Sequence, residues 1–216
     1  MATREDEFSG GGARRPVGVR PGTPDDHEAA AEALALAFAD DPGWAHLLPA
    51  SEGRGERLLR FFTAEIGNVV PRHRELWVTD DGSGAALWGR PGRWRVPFST
   101  TARPLPAMAK VFGRRLALAT WSQLRFERLH PRKPEHWYLH YIGVEPRRQG
   151  RGLGAALLAP MLESCDRTGT PAYLEASSDR NRVLYERHGF EVTDTFPLPL
   201  AGPPIREMWR EPLGAR

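Results

Sequence analysis

Apolar and polar positions recur regularly enough to lay out most of the chain. "VGVRP" at 17–21 alternates as a short strand does. In "GTPDDHEAAAEALALAFADD" Thr23 then stands at or next to the N-cap of a helix, with acids in its first turn and Ala and Leu behind. "RGERLLRFFTAEIGNVV", residues 54–70, carries large apolar side chains at helical spacing and predicts a second helix. "ELWVTD" and "GAALWGRP" read as two strands joined through Asp81-Gly82-Ser83-Gly84, a hairpin connection. Between residues 100 and 130, "AMAKVFGRRLALATWSQLRFERLH" is apolar at helical spacing with basic residues between. It predicts a packing helix whose arginines face solvent, in preference to a helix lying on a membrane surface.

From residue 137 the order becomes regular. A strand over 137–144 is followed by a glycine loop, a helix over 152–167, a turn at Thr168–Pro171 and the strand "AYLEAS". The helix "RNRVLYERHG" and the strands "FEVTDTF" and "IREMWRE" complete the sequence. Strands alternating with helices predict an α/β (α+β) layout with some parallel pairing. Residues 1–15 are Gly-rich and charged, with Phe8 the only large apolar side chain, and read as a disordered tail. The rest, 16–214, reads as one domain.

Composition narrows the function classes. At 216 residues, 40% hydrophobic and 26% charged, the chain suits one soluble globular domain. A net charge of +3, with arginines spread along the chain, argues against a nucleic-acid partner. No apolar run approaches the roughly 20 residues of a membrane helix, and "MATREDEFSGGGARRP" lacks the apolar stretch of a secretory signal. A cytoplasmic protein without a membrane partner is therefore expected. Cys165 is the only cysteine, so it forms neither an intrachain disulfide nor a thiolate-rich zinc site, and it reads as a small buried hydrophobe. The seven histidines show no spacing with acids that suggests a metal site.

Candidate chemistry centres on "WYLHYIGVEPRRQGRGLGAALLAPM", where Gly150, Gly152 and Gly154 stand at a helix start. Free N–H groups and the helix dipole suit a phosphate there, and glycine lets backbone approach it closely. A Walker loop is excluded because Gly-Lys-Ser/Thr is absent. Gly150, Gly152 and Ala155 satisfy a dinucleotide fingerprint, with Glu175 near the position of a ribose-binding acid. That reading is disfavoured, because "EPRRQ" separates the strand from the first glycine and too little chain follows Glu175 to finish a doubly wound sheet. A ligand-free strand-to-helix turn is the remaining alternative.

"GVEPRRQGRGLGAALL", with Gln149-x-x-Gly152-x-Gly154 as its core, resembles the cofactor motif of the GCN5-related N-acetyltransferase (GNAT) superfamily. "NRVLYERHGF" resembles the same superfamily's downstream helix and strand. "AFADDP", "HPRKPEHWYL" and "YLEASSDRN" further resemble the subgroup around puromycin N-acetyltransferase. The resemblance covers about residues 17–212. It implies a GNAT fold, a mixed central sheet with a splayed strand pair flanked by helices, and acetyl-CoA as cosubstrate without a metal. Amides of Gln149, Gly150, Arg151, Gly152, Leu153, Gly154 and Ala155 would hold the pyrophosphate. Ile142, Gly143 and Val144 would pair with the pantetheine arm and supply an oxyanion donor. Asn181 would touch the same arm, or else cap its helix.

The resemblance offers an acid and leaves the base open. Tyr185 matches the general acid toward the departing thiolate, with packing of its helix onto the sheet as the alternative. For the base, strand alternation puts Tyr138, His140 and Ile142 on one face, and the pKa of His140 suits the task. Glu175 rivals it, with a salt bridge to an arginine as its structural alternative, and a strand carbonyl with ordered water could also suffice. His188 reads as structural. Acceptor specificity is expected from residues 37–50 and 90–130, where Trp44, Trp88, Trp94 and Trp121 offer aromatic walls and Asp40 and Asp41 would attract an ammonium. A small-molecule primary amine, an antibiotic such as an aminonucleoside, is the leading expectation. A protein or peptide acceptor and a silent acetyl-CoA sensor are the alternatives. Exposed last strands leave a homodimer open.

Overall fold

The alternation in "ELWVTD" and "GAALWGRP" builds two neighbouring antiparallel strands, and a seven-stranded sheet grows from them in both directions. The computed structural model describes residues 17–49, 53–93 and 105–214. The predicted tail at 1–15 and Trp94 lie outside the described residues. In chain order the elements are β1 (Val19–Pro21), α1 (His27–Ala37), α2 (Pro42–Leu47), α3 (Arg54–His73), β2 (Arg74–Thr79) and β3 (Gly84–Gly89). There follow α4 (Leu105–Phe112), α5 (Leu116–Leu129), β4 (Trp137–Val144) and α6 (Leu153–Thr168). The last are β5 (Ala172–Ala176), α7 (Asp179–Glu186), β6 (Glu191–Pro197) and β7 (Pro204–Arg210).

The sheet order is β1-β2-β3-β4-β5-β7-β6. Among the described strands only β4 and β5 pair in parallel, and β7 inserts between β5 and β6. Period-two alternation sorts the side chains onto two faces. On the first face, Leu76, Val78, Ala85 and Leu87 pack against α1 and α3 through Leu34, Leu58, Phe62 and Ile66. On the second, Ala86, Trp88, Leu139, Leu174 and Met208 pack against Leu157, Leu158 and Met161 of α6 and Tyr185 of α7. Each fully buried leucine in these layers contributes about 1.5–3 kcal/mol. Cys165 lies in the second layer, where burial pushes its thiol up to about 12.

Two expectations need correction. The helix read across 100–130 is two helices, broken by a 3-10 turn at Gly113–Arg115 in which Gly113 has φ +50°. Its polarity is also partly inverted: Trp121 is 52% exposed, whereas the Arg125 guanidinium lies 5.3 Å over the Phe196 ring. The second correction concerns β4. Leu87 pairs with Tyr141 but Trp88 pairs with Leu139, so His140 is an extra residue, a bulge. Beyond the bulge the faces exchange. Tyr141 packs against Phe62 on the first face and Ile142 joins Leu139 on the second, so Ile142 does not share a face with Tyr138 and His140.

Candidate active site

The glycine loop is held from both ends. Pro146–Arg148 forms a 3-10 turn after β4, and the Gln149 side chain donates to the Val144 carbonyl at 2.8 Å. Gly150 and Gly152 have φ of +75° and +80°, a conformation that favours glycine. A Cβ at either would meet nothing within 4 Å, so their requirement is the turn and not tight packing. Ala156 makes the first backbone bond of α6, to the Gly152 carbonyl at 2.9 Å. Helix geometry leaves the earlier N–H groups, of Leu153, Gly154 and Ala155, without an intrahelical acceptor. Open space, left-handed glycines and unpaired amides together fit the pyrophosphate of acetyl-CoA. Arg151 is exposed, and Leu153 is buried in the core. Two glycines serve packing instead. A Cβ on Gly154 would come 3.2 Å from Leu184 of α7, and one on Gly143 would come 2.6 Å from the Ala37 Cβ of α1.

Beside this loop the sheet opens. The parallel pairing of β4 and β5 runs from Trp137↔Ala172 to Leu139↔Leu174 and ends there. Ile142, Gly143 and Val144 pair with β3 on one edge and face the opening with the other. Tyr185 borders the opening on the second face, buried against Phe190. Its phenol is raised above the ordinary value, first by burial and then by the nearby Asp41 carboxylate. Ser178, not Asn181, caps α7: its hydroxyl accepts from the Asn181 backbone N–H at 3.3 Å.

The "FADDPGW" stretch, read as a loop, contains the short helix α2. Asp41 is its N-cap, accepting from the Trp44 N–H at 3.1 Å, and it also accepts a hydrogen bond from Ser177, just beyond β5. Burial raises its carboxyl group, against these bonds. Asp41 is thus buried and engaged in hydrogen bonds, and is not free to draw in an ammonium, whereas Asp40 is exposed. Trp44 is likewise no wall: it packs in the core against Phe38, Phe61 and Phe112. Trp88 is fully buried.

The two candidate bases lie on the first face. The His140 Nδ1 stands 3.5 Å from the Glu65 carboxylate of α3, with its side chain 13% exposed. The Glu175 carboxylate stands 3.8 Å from the His130 Nδ1 and is 7% exposed. Its partner is therefore a histidine and not one of the arginines. Tyr138 spans the space between, its ring 5.1 Å from His140 and 4.7 Å from His130. Behind His130 lie His136, Tyr173 and Glu207, a buried polar cluster that spacing along the chain did not reveal. The available signal was "HPRKPEH", two histidines flanking a proline-stiffened segment next to the central strand. His188 is bonded through Nδ1 to the Leu184 carbonyl at 2.8 Å and faces none of this chemistry. Among the described residues no group of three His, Cys, Asp or Glu is arranged to hold a metal ion. Nor is any described helix long and apolar enough to cross a membrane.

Comparisons with known proteins agree with this geometry. The family model of the acetyltransferase (GNAT) family matches residues 86–190, the span from β3 to the end of the α7 turn. An uncharacterised N-acetyltransferase of Schizosaccharomyces pombe is 28% identical over 205 residues, covering 87% of this chain and 80% of that protein. A Corynebacterium glutamicum structure, solved as histone acetyltransferase HPA2 and related acetyltransferase, aligns with TM-score 0.70 and 28% identity over 91% of this chain and 97% of the other. The arylalkylamine N-acetyltransferase 2 of Aedes aegypti shares the fold at TM-score 0.56 and 13% identity, over 90% and 98% of the two chains.

Proposed function

We propose that this chain, a GNAT-family N-acetyltransferase, acetylates the primary amine of a small cationic molecule. The observation that carries this reading is the division of the opening between β4 and β5. Carboxylates and histidines line its first face, and a buried phenol borders its second. Acetyl-CoA supplies an activated acetyl thioester. Amides of Gln149 to Ala155 bind its pyrophosphate, and the open edge of Ile142 to Val144 aligns its arm. Glu175, with His140 as the second basic group, takes a proton from the ammonium nitrogen. Burial keeps Tyr185 protonated, so its hydroxyl serves as a donor from the opposite face. The low exposure of His140 and Glu175 favours a slim amine over a wide surface. The resemblance to puromycin N-acetyltransferase makes aminonucleosides the first antibiotics to try.

A second reading, a protein acceptor, is favoured by the Corynebacterium relative solved as a histone acetyltransferase. Free thiol release from acetyl-CoA separates the two, measured against puromycin, kanamycin, spermidine, tyramine and a histone-tail peptide. Turnover of a small amine with little on the peptide is the expected result. Turnover of the peptide alone selects the second reading. Failure to bind acetyl-CoA by calorimetry overturns both.

A further inference from the structure

The hairpin between β2 and β3 reaches across to the root of the glycine loop. Asp81 stands in its turn, where one carboxylate oxygen accepts from the Ser83 backbone N–H at 3.1 Å and from the Ser83 hydroxyl at 2.6 Å. The other oxygen pairs with the Arg148 guanidinium at 2.9 Å, in the 3-10 turn that precedes Gln149. Backbone bonds run alongside this link. The Glu145 N–H donates to the Ser83 carbonyl at 2.8 Å, and the Arg148 N–H donates to the Glu145 carbonyl at 2.9 Å. The hairpin is also tightly seated. A Cβ on Gly84 would come 3.1 Å from Leu157 of α6 and 3.2 Å from the Gly143 carbonyl of β4, the two elements that the loop joins. Burial works against the charge on Asp81, but the bonds from Ser83 and Thr79 and the Arg148 charge outweigh it and hold the carboxyl below its ordinary value. Gly150 and Gly152 follow Arg148 by two and four residues, and neither has a Cβ to restrict its backbone. The place of their amides therefore depends on where Arg148 is fixed.

We infer that Asp81 is a positioning residue for the cosubstrate: through Arg148 and Ser83 it fixes the loop whose amides meet the pyrophosphate of acetyl-CoA. This rests on the proposed binding of acetyl-CoA at that loop. Charge and position make opposite demands on Asp81. By charge alone, a carboxylate near the loop repels a pyrophosphate, and its removal would tighten binding. By position, it holds the loop in place before the cosubstrate arrives. A loop that has lost this anchor must be ordered during binding, and the ordering costs affinity. Position prevails in this geometry, because the carboxylate is turned onto a guanidinium at 2.9 Å and the pair is close to neutral at a distance. The side chains of Arg148 and Asp81 are 36% and 23% exposed, so the ion pair by itself is weak and acts together with the two Ser83 bonds.

The test is calorimetric titration of the full chain with acetyl-CoA. Asp81→Asn keeps an oxygen for Ser83 and loses the charge toward Arg148; it should weaken binding about three- to tenfold. Arg148→Gln should weaken it by a similar factor. The double variant should be no worse than either single one, since the same link is removed twice. In turnover of the fastest amine of the panel, Asp81→Asn should raise the acetyl-CoA KM while kcat and the amine KM hold. S-acetylpantetheine has the thioester without the pyrophosphate, and its kcat/KM should be equal in wild type and Asp81→Asn. Unchanged or tighter acetyl-CoA binding in Asp81→Asn overturns the inference. So does an equal loss with S-acetylpantetheine, which would make Asp81 a residue of the general fold. Ser83→Ala removes the 2.6 Å bond that orients Asp81 and leaves every charge in place. It too should weaken acetyl-CoA binding, and an unchanged affinity overturns the inference even if Asp81→Asn does not fold. If wild type fails to bind acetyl-CoA, the proposed function falls and the inference with it. If wild type binds and the variants bind as well, the inference alone falls.

Discussion

The two faces of β5 are a residue apart and differ in kind. Ala172, Leu174 and Ala176 lie in the apolar layer under α6, while Tyr173 and Glu175 lie in a buried network of carboxylates, histidines and phenols. The apolar face gives cohesion without direction, since burial energy follows area alone. The polar face gains little net energy from its bonds but is sensitive to each missing partner. Period-two geometry lets one strand carry both, so stability and chemistry should respond to different substitutions.

Glu175→Gln tests this most severely. It should lower kcat by about 10²- to 10⁴-fold while thermal unfolding barely moves; a collapse of Tm would show that the polar face also holds the fold. Leu157→Ala on the apolar side should do the reverse. It costs about 2–5 kcal/mol in urea unfolding, with activity per folded molecule preserved.

The apolar side has polar exceptions that sharpen the contrast. Arg210 donates twice to Asp166 at the end of α6, at 2.7 and 2.9 Å, and the pair is partly buried. These bonds hold the Asp166 carboxyl below its ordinary value, so their stability is present above the unfolded pKa near 4 and is lost as pH falls through the folded value. Asp166→Asn should cost about 1.5–3 kcal/mol at neutral pH and flatten the acid limb of the stability curve. Tyr185→Phe keeps the packing of the apolar face but removes a donor. It should slow turnover roughly ten- to a hundredfold, somewhat below a full acid–base effect, with an unchanged melting curve.

Asp41→Asn should have the smallest effect. Asn caps a helix about as well as Asp, and burial raises the Asp41 carboxyl. A raised group favours the fold below its unfolded pKa, and that advantage is lost as pH rises through the folded value. The variant should therefore match wild type at low pH and be more stable at neutral pH, within about 1 kcal/mol. A large loss would mean that the Ser177 hydrogen bond needs a charge.

What could be read from the sequence was what is encoded locally. The hairpin at 81–84, the strand at 137–144 and the glycine loop depend on neighbours along the chain, and each is marked in its own residues. The bulge at His140 is not, because it is a mismatch with β3 and has no mark in β4 itself. Asp41 looked like an exposed acid in a turn. Its cap and its bond to Ser177, 136 residues away, emerge only when the halves meet. Separation along the chain also hides the His130–Glu175 pair and the Tyr173–Glu207 pair. Helix α2 was missed because Pro42 and Gly43 read as turn residues, although proline is at home in a first helical turn.

The insertion of β7 between β5 and β6 bears on how the molecule is made. The last of these strands to emerge from the ribosome is an inner one: β6 pairs with it as an antiparallel hairpin, and β7 is the strand of that hairpin that joins β5. Until Pro204–Arg210 docks, Tyr173 lacks the carboxylate it donates to and Asp166 lacks its guanidinium. The pairing β5·β7 closes across the segment that holds α7 and β6, a non-local contact that is slow to form. A nascent chain that already carries the whole glycine loop still lacks the carboxylate to which Tyr173 donates.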